Sequence, residues 1–592
     1  MRSLPKAFAL LPAVLAIVVY SPVSMAQTTD QPPEPTGGRV VLVLPFDNHS
    51  GDASLNWIGD SLPNTLNHRL NSAGFLTISY DDRVFAYQHL GLPADFRPTR
   101  ATTIRIAQQL DASYVIIGSY DVQPGPATTS AAGAARNPAN SHISIQARVL
   151  SIDKLRLSQP VEASAALTSL FMVENQIAWK VAGNLDPHFS VSEQTFLAQP
   201  GAVPLPAFED YIRGINASSD AEKLQRLQDA VALQPNYPAA LLALGKEQYA
   251  QGDFDAAAAT LARIPATTRM ALEANFYRGL AEFKSANYAK AQNAFAFVAS
   301  RLPLPEVVNN QAVAMSRQGK DGVALFQKAS ALNPSDENYH YNLAIALFRR
   351  GNTTDSQSQV QEALRLKPGD HEAQELAAEL KTAEPGTRLT EDLGGPAAQP
   401  DHPSRPQTDA NLSPGSGQNA DQQPGWADSG FSPLERIEKD YSETSFRQAE
   451  FQLDQMRAMR MALLPADQQA AEYTRIGRQY LAEGLLPEAE KQFQSALAAN
   501  PNSADAHASM AQLQEAAGDS AKARDEARIS LILKPNSTAL MVLARLDMAE
   551  KQFAACAADI AQVLQLDPTD SQAIALRMVL QQQGQTVPSA RQ

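Results

Sequence analysis

The chain has 592 residues, 44% apolar and 19% charged, which is enough for packed cores and for roughly three to five domains. Its 49 Lys+Arg against 63 Asp+Glu give a net charge of −14, with no extended Lys/Arg run. That balance disfavours nucleic-acid binding and docking on an anionic membrane surface, since both need a basic stripe. The single cysteine, Cys556, excludes an internal disulfide and a thiolate metal cluster, and its Ala-rich setting reads as packing.

In chain order, Arg2 and Lys6 precede an apolar run from Ala7 to Tyr20, and Ser24-Met25-Ala26 supplies small residues before Gln27. This pattern predicts a signal peptide over 1–26, cleaved after Ala26, and hence a periplasmic protein. Pro12 breaks the run, which is shorter than the roughly 20 residues a span needs, and no Cys follows it to carry a lipid. No stable membrane insertion is expected after cleavage. Without Arg2 and Lys6, 47 basic residues face 63 acidic ones, a net charge of −16.

Residues 27–38 are polar and Pro-rich, a tether. Residues 39–190 read as an α/β domain, a mixed sheet with helices. Val40–Phe46 is a strand buried on both faces, Asp47–Asp52 is a turn, and Leu55–Leu70 carries a helical period. A strand over Phe75–Tyr80 follows, with Asp81 and Asp82 in the next turn. Thr102 or Thr103 caps a short helix to Leu110. Tyr114–Tyr120 is a strand, 123–141 a long mobile loop, and His142–Ser151 an alternating strand. Ala163–Leu167 is an edge strand and Leu170–Leu185 a closing helix.

The motif Val41-Leu-Val-Leu-Pro-Phe-Asp-Asn-His-Ser-Gly-Asp52 with Ile58-Gly-Asp-Ser-Leu62 resembles the opening of TolB amino-terminal-like (FlgO-like) domains. Ile106–Tyr120 and Ile143–Asp153 resemble two later stretches of that family. The resemblance covers about residues 39–187. Similar domains often precede tetratricopeptide repeats, sometimes behind a DNA-binding domain; here a signal peptide takes that place, which removes support for a transcriptional role. The hairpin before the last strand departs from the family pattern at Lys154-Leu-Arg-Leu157, and no β-propeller follows, unlike the Tol-system protein itself.

From about 206 the pattern becomes helical with a period near 34. Pro501, Pro535 and Pro568 mark it, and Tyr473, Ile476, Gly477, Tyr480, Gly484, Ala489, Phe493 and Ala496 match successive tetratricopeptide (TPR) positions. Small residues let paired helices approach, large ones fill the gap between pairs, and Gly and Pro end the helices. The predicted fold class is therefore multidomain: an α/β domain, then two all-α TPR solenoid arrays over 206–381 and 466–582. Residues 207–235 cap the front of the first array and His371–Lys381 its back. A Pro/Gly-rich disordered linker is expected over 382–432 and a disordered tail over 583–592. Ser432-Pro433-Leu434-Glu435 reads as a helix start, so 433–465 is expected to be a helix leading into the second array.

The nine histidines are scattered, without the i,i+4 pairing of a zinc site, and no phosphate-binding loop or nucleophile elbow is found. No cofactor, metal or catalytic residue is expected; the acids at 47, 52, 81 and 82 read as solvated turn residues. In TPR proteins the concave face of the first helix of each pair carries binding. Lys246, Tyr249, Tyr341, Arg349, Thr474 and Arg478 take those places and are the expected partner-binding residues, each with ordinary surface or inter-repeat packing as its alternative. The expected function is a non-enzymatic scaffold for protein or peptide partners in the cell envelope. The alternatives are a self-assembling homo-oligomeric component and an accessory enzyme of envelope metabolism.

Overall fold

The computed structural model describes residues 40–93, 96–124, 141–198, 203–268, 270–389, 433–439 and 443–586. The signal peptide, the tether, most of the 123–141 loop, residues 390–432 of the linker and the end of the tail lie outside the described residues.

The N-terminal part is a mixed sheet with helices on both faces. Its strands are β1 (Val40–Val43), β2 (Asp47–Asn48), β3 (Leu76–Thr77), β4 (Tyr114–Gln123), β5 (His142–Ser151), β6 (Arg156–Leu157) and β7 (Val161–Ala166). Its helices are α1 (Trp57–Ser72), α2 (Tyr80–His89), α3 (Arg100–Gln109), α4 (Leu170–Leu185) and the short α5 (Glu193–Leu197). β1 runs parallel to β3 and β4, and β2 parallel to β4. β5 pairs antiparallel along the whole of β4 and then with β6 and β7.

Alternation along β1 explains the two layers. Val41 and Val43 join the core under α1 and α4, whereas Leu42 and Leu44 join Tyr87, Ile106 and Val115 under α2 and α3. The predicted strand over Phe75–Tyr80 shortens to two residues because the Ser79 hydroxyl accepts from the Asp82 N–H at 3.0 Å and starts α2. Asp81 and Asp82 thus fall in the first turn of a helix rather than in a loop, and the Asp82 carboxylate there favours the helix dipole. The cap of α3 is Thr99, not Thr102 or Thr103: its Oγ1 accepts from the Thr102 N–H at 3.4 Å.

Among the described residues, most of the chain from Leu205 onward is paired helices. Five pairs span Leu205–Leu366, closed by His371–Thr382, and three pairs span Ala466–Leu566, closed by Ser571–Gln582. Close approach within a pair depends on glycine at one recurrent place. A Cβ on Gly245 would come within 2.5 Å of Leu261, one on Gly279 within 2.7 Å of Phe295, and one on Gly477 would overlap the Phe493 ring.

The core under α1 and α4 continues without a break into the first helix pairs. Phe208, Tyr211, Leu227 and Leu244 belong to it, and the Phe208 ring meets Phe171 edge-on at 5.4 Å. The second array touches the α/β domain at α5. The Glu490 carboxylate accepts from the Ser192 N–H at 3.2 Å, and Gln494 Nε2 donates to the Ser190 carbonyl at 3.1 Å.

One expectation fails instructively. Pro433–Lys439 is neither helix nor strand, but the N–H and carbonyl of Arg436 face one side and those of Glu438 the same side, as in an extended chain, and the helix before the second array runs only from Glu443 to Met461. Glu435, the acid of the expected helix start, is buried elsewhere.

Candidate functional site

The extended segment 433–439 lies across the first array, against helices Pro305–Ser316, Glu337–Arg349 and His371–Thr382. Its main chain is held by asparagines. Asn342 makes a two-bond clamp on Arg436: Oδ1 accepts from its N–H at 2.7 Å and Nδ2 donates to its carbonyl at 2.8 Å. Asn310 clamps Glu438 in the same way, at 2.8 and 2.7 Å. Asn309 links the two clamps. Its Nδ2 donates to the Arg436 carbonyl at 3.0 Å and its Oδ1 accepts from Asn342 Nδ2 at 2.7 Å.

All three asparagines are fully buried. Buried amides carry a desolvation cost unless their donors and acceptors are paired, and here a strand's peptide groups pair them. In an extended chain, alternate peptide groups point the same way, which is why the clamps fall on 436 and 438 and skip 437.

Side chains alternate accordingly. Glu435 is buried, with its carboxylate bonded to the Ser316 hydroxyl and paired with Arg349. Arg349 Nη1 also reaches Ser316 Oγ at 2.5 Å, and Arg317 Nη2 reaches the Glu435 carbonyl at 3.2 Å. Ile437, two residues on, enters the apolar cleft between the cluster of Phe276, Phe295 and Val307 and that of Val313, Phe326 and Leu343.

On the other side, Arg436 forms a two-bond pair with Asp370 at 2.6 and 2.7 Å and reaches Glu372 at 2.7 Å. Its guanidinium lies 3.9 Å from the centre of the Tyr341 ring, a cation–π geometry. Burial alone would lower the Arg436 pKa, but its hydrogen bonds to Asp370 and Glu372 outweigh that and raise it. Burial would likewise raise Asp370, yet the Arg436 hydrogen bonds hold it below the ordinary carboxylate range. A carboxylate slot, an arginine slot and an aliphatic cleft therefore follow one another along an asparagine rail.

Of the six residues expected from sequence, Tyr341 and Arg349 meet at this groove. Lys246 and Tyr249 make none of the clamp or slot contacts described above. Lys246 pairs with Glu273 at 2.7 Å, Tyr249 packs on Phe254 and Tyr277 at the edge of the cluster that also takes Ile437, and both border a cavity of about 1220 Å³ lined as well by α1, Lys439 and helix Ala466–Ala482. In the second array, Thr474 is buried with its hydroxyl on the Ala470 carbonyl at 2.7 Å. Arg478 donates to Ser509 Oγ at 2.8 Å, a contact between neighbouring repeats.

The asparagines were missed. Asn309 and Asn342 stand 33 residues apart, as do Ser316 and Arg349, so recurrence of polar residues at the repeat period was the available signal. No group of three or more metal-ligating side chains occurs among the described residues. None of the described helices is long and apolar enough to cross a membrane.

The tetratricopeptide-repeat family profile matches residues 312–371 and 474–538. No curated protein matches the chain. Among solved structures, MamA from Desulfovibrio magneticus RS-1 is 19% identical, covering 29% of this chain and 99% of its own, with a TM-score of 0.26. YrrB, described as a TPR protein with an unusual peptide-binding site, is 13% identical over 35% and 98%, at 0.26. The LpoB C-terminal domain from Escherichia coli is 22% identical over 22% and 84%, at 0.17. The chain thus carries tetratricopeptide repeats in both helical arrays, and the first matched stretch includes Ser316, Tyr341, Asn342 and Arg349 of the groove.

Proposed function

We propose that this chain is a non-enzymatic scaffold, exported to the periplasm, that binds extended segments of envelope proteins in the groove of its first TPR array. The observation that carries the reading is the main-chain clamping of residues 436 and 438 by Asn342 and Asn310. A groove that grips the peptide group itself accepts a strand as ligand, with flanking slots to select it. The signal-like segment supports export, and the TolB amino-terminal-like motifs support an envelope setting for the α/β domain.

The test is a pull-down from envelope extract with the chain from Gln27 onward carrying Glu435→Ala, Arg436→Ala and Ile437→Ser, which remove the side chains that seat its own segment, against the same chain carrying Asn310→Ala and Asn342→Ala as well. Proteins retained by the first and lost from the second are expected. An unchanged set on both, or retention of nothing except the chain itself, would contradict the scaffold and favour self-assembly.

A further inference from the structure

We propose that residues 433–439 are a built-in competitor for the groove, and that the groove's partner is an extended segment carrying an acidic, a basic and an aliphatic residue in succession. The inference rests on the peptide-groove reading above and adds the partner's chemistry and the site's regulation.

The asparagine rail contacts main chain only, so it takes any strand. Selection comes from three neighbouring positions. The first needs a carboxylate, because Ser316 and Arg349 converge on it. The second needs a guanidinium: Asp370 takes two of its N–H groups side by side, Glu372 another, and Tyr341 offers a ring face, a fork-and-stack fit that an ammonium does not reproduce. The third needs a branched aliphatic side chain for the cleft between the two apolar clusters. Glu435-Arg436-Ile437 meets all three and is therefore the template for what a partner must present.

The competitor acts by tethering. Residues 433–439 are joined covalently to the array whose groove they occupy, so they face it at an effective concentration on the order of millimolar. A free segment of equal intrinsic affinity, present at micromolar levels, does not displace it. A partner must bind more tightly, or grip a second surface as well. Occupancy also organises the molecule: helix Glu443–Met461 leaves the groove with Phe446 packed edge-on against Phe276 at 5.9 Å and leads to the second array.

The test is fluorescence anisotropy with a labelled peptide of residues 431–440 added to the chain from Gln27 onward. The wild-type chain is compared with an emptied chain carrying Glu435→Ala, Arg436→Ala and Ile437→Ser, which vacates the three slots and weakens the tethered segment without touching the groove's walls. The emptied chain should bind the probe at least tenfold more tightly than wild type. A probe with its Glu and Arg exchanged should lose at least tenfold on the emptied chain. Asn310→Ala added to the emptied chain should also weaken the probe, with helical circular dichroism unchanged; Asn342→Ala serves as the second variant if the first fails to fold.

Equal affinity of wild-type and emptied chains would overturn the competitor while leaving the scaffold intact, provided the envelope pull-down still depends on Asn310 and Asn342. Equal affinity for the exchanged probe would overturn the partner's chemistry. A wild-type dimer that dissociates on emptying the groove would place the segment in a second copy and overturn tethering in cis.

Discussion

Asn309, Asn310 and Asn342 hydrogen-bond peptide groups of 433–439 and one another, and Tyr341 contributes only a ring face. The Tyr341 hydroxyl is buried without a hydrogen-bond partner. Tyr341→Phe should therefore leave thermal stability within about 0.5 kcal/mol of wild type, or raise it slightly, whereas Tyr341→Ala should cost about 3–5 kcal/mol by emptying a fully buried site. Equal losses from the two would show that the hydroxyl is paired. Glu174 makes a second residue-scale prediction. It is completely buried in α4, accepts from Thr65 Oγ1 at 2.5 Å and from the Ser61 hydroxyl, and burial pushes its pKa up to about 7. The folded chain thus keeps a proton that the unfolded chain releases in the ordinary carboxylate range. Stability should be full below that range and decline as pH rises through about 7, and Glu174→Gln should flatten the decline in pH-dependent melting curves. Tyr341 and Arg349 were legible because concave positions recur with the repeat. The asparagines recur too, but as amides they looked like neutral surface until a strand lay beside them.

At the scale of elements, repeats and strands were legible where a single periodicity governs. The alternation of Ile143, Ile145, Ala147 and Val149 marks β5, which spans His142–Ser151, and the apolar helical period marks α4 at Leu170–Leu185. Reading failed where a tertiary contact outcompeted a local signal. Ser432-Pro433-Leu434-Glu435 has the composition of a helix start, but Glu435 finds Ser316 and Arg349 more than 80 residues away in sequence. Two strong partners in a buried slot outweigh one capping bond, worth about 1 kcal/mol. α2 was missed for the opposite reason, since one hydroxyl cap at Ser79 converts an apparent strand end into a helix. The glycine packing gives the element-scale prediction. Gly477→Ala places a methyl where the Phe493 ring lies and should destabilise the second array by about 1–3 kcal/mol in thermal unfolding. No loss would mean that the helix pair has slack to separate.

For the whole molecule, composition and repeat period foretold an α/β domain followed by helical arrays, but not how they join. A core shared by several elements leaves no mark on any one of them. Phe208, Tyr211 and Leu244 looked like ordinary repeat residues, yet they pack in one cluster with Trp57 and Val173 of the α/β domain. A fragment ending at residue 198 should therefore expose that face and lose cooperative unfolding, whereas one extended to Lys284 should regain it, as calorimetry of the two would show. Cooperative melting of the shorter fragment would make the shared core incidental.

The most direct test of the central claim is native-state hydrogen exchange at the Arg436 and Glu438 amides, in wild type and in the chain carrying Asn310→Ala and Asn342→Ala. Strong protection in the wild type, lost at both amides in the variant while the helices stay protected, is the result the groove requires. Rapid exchange of both amides in the wild type would mean that the asparagines do not hold a strand.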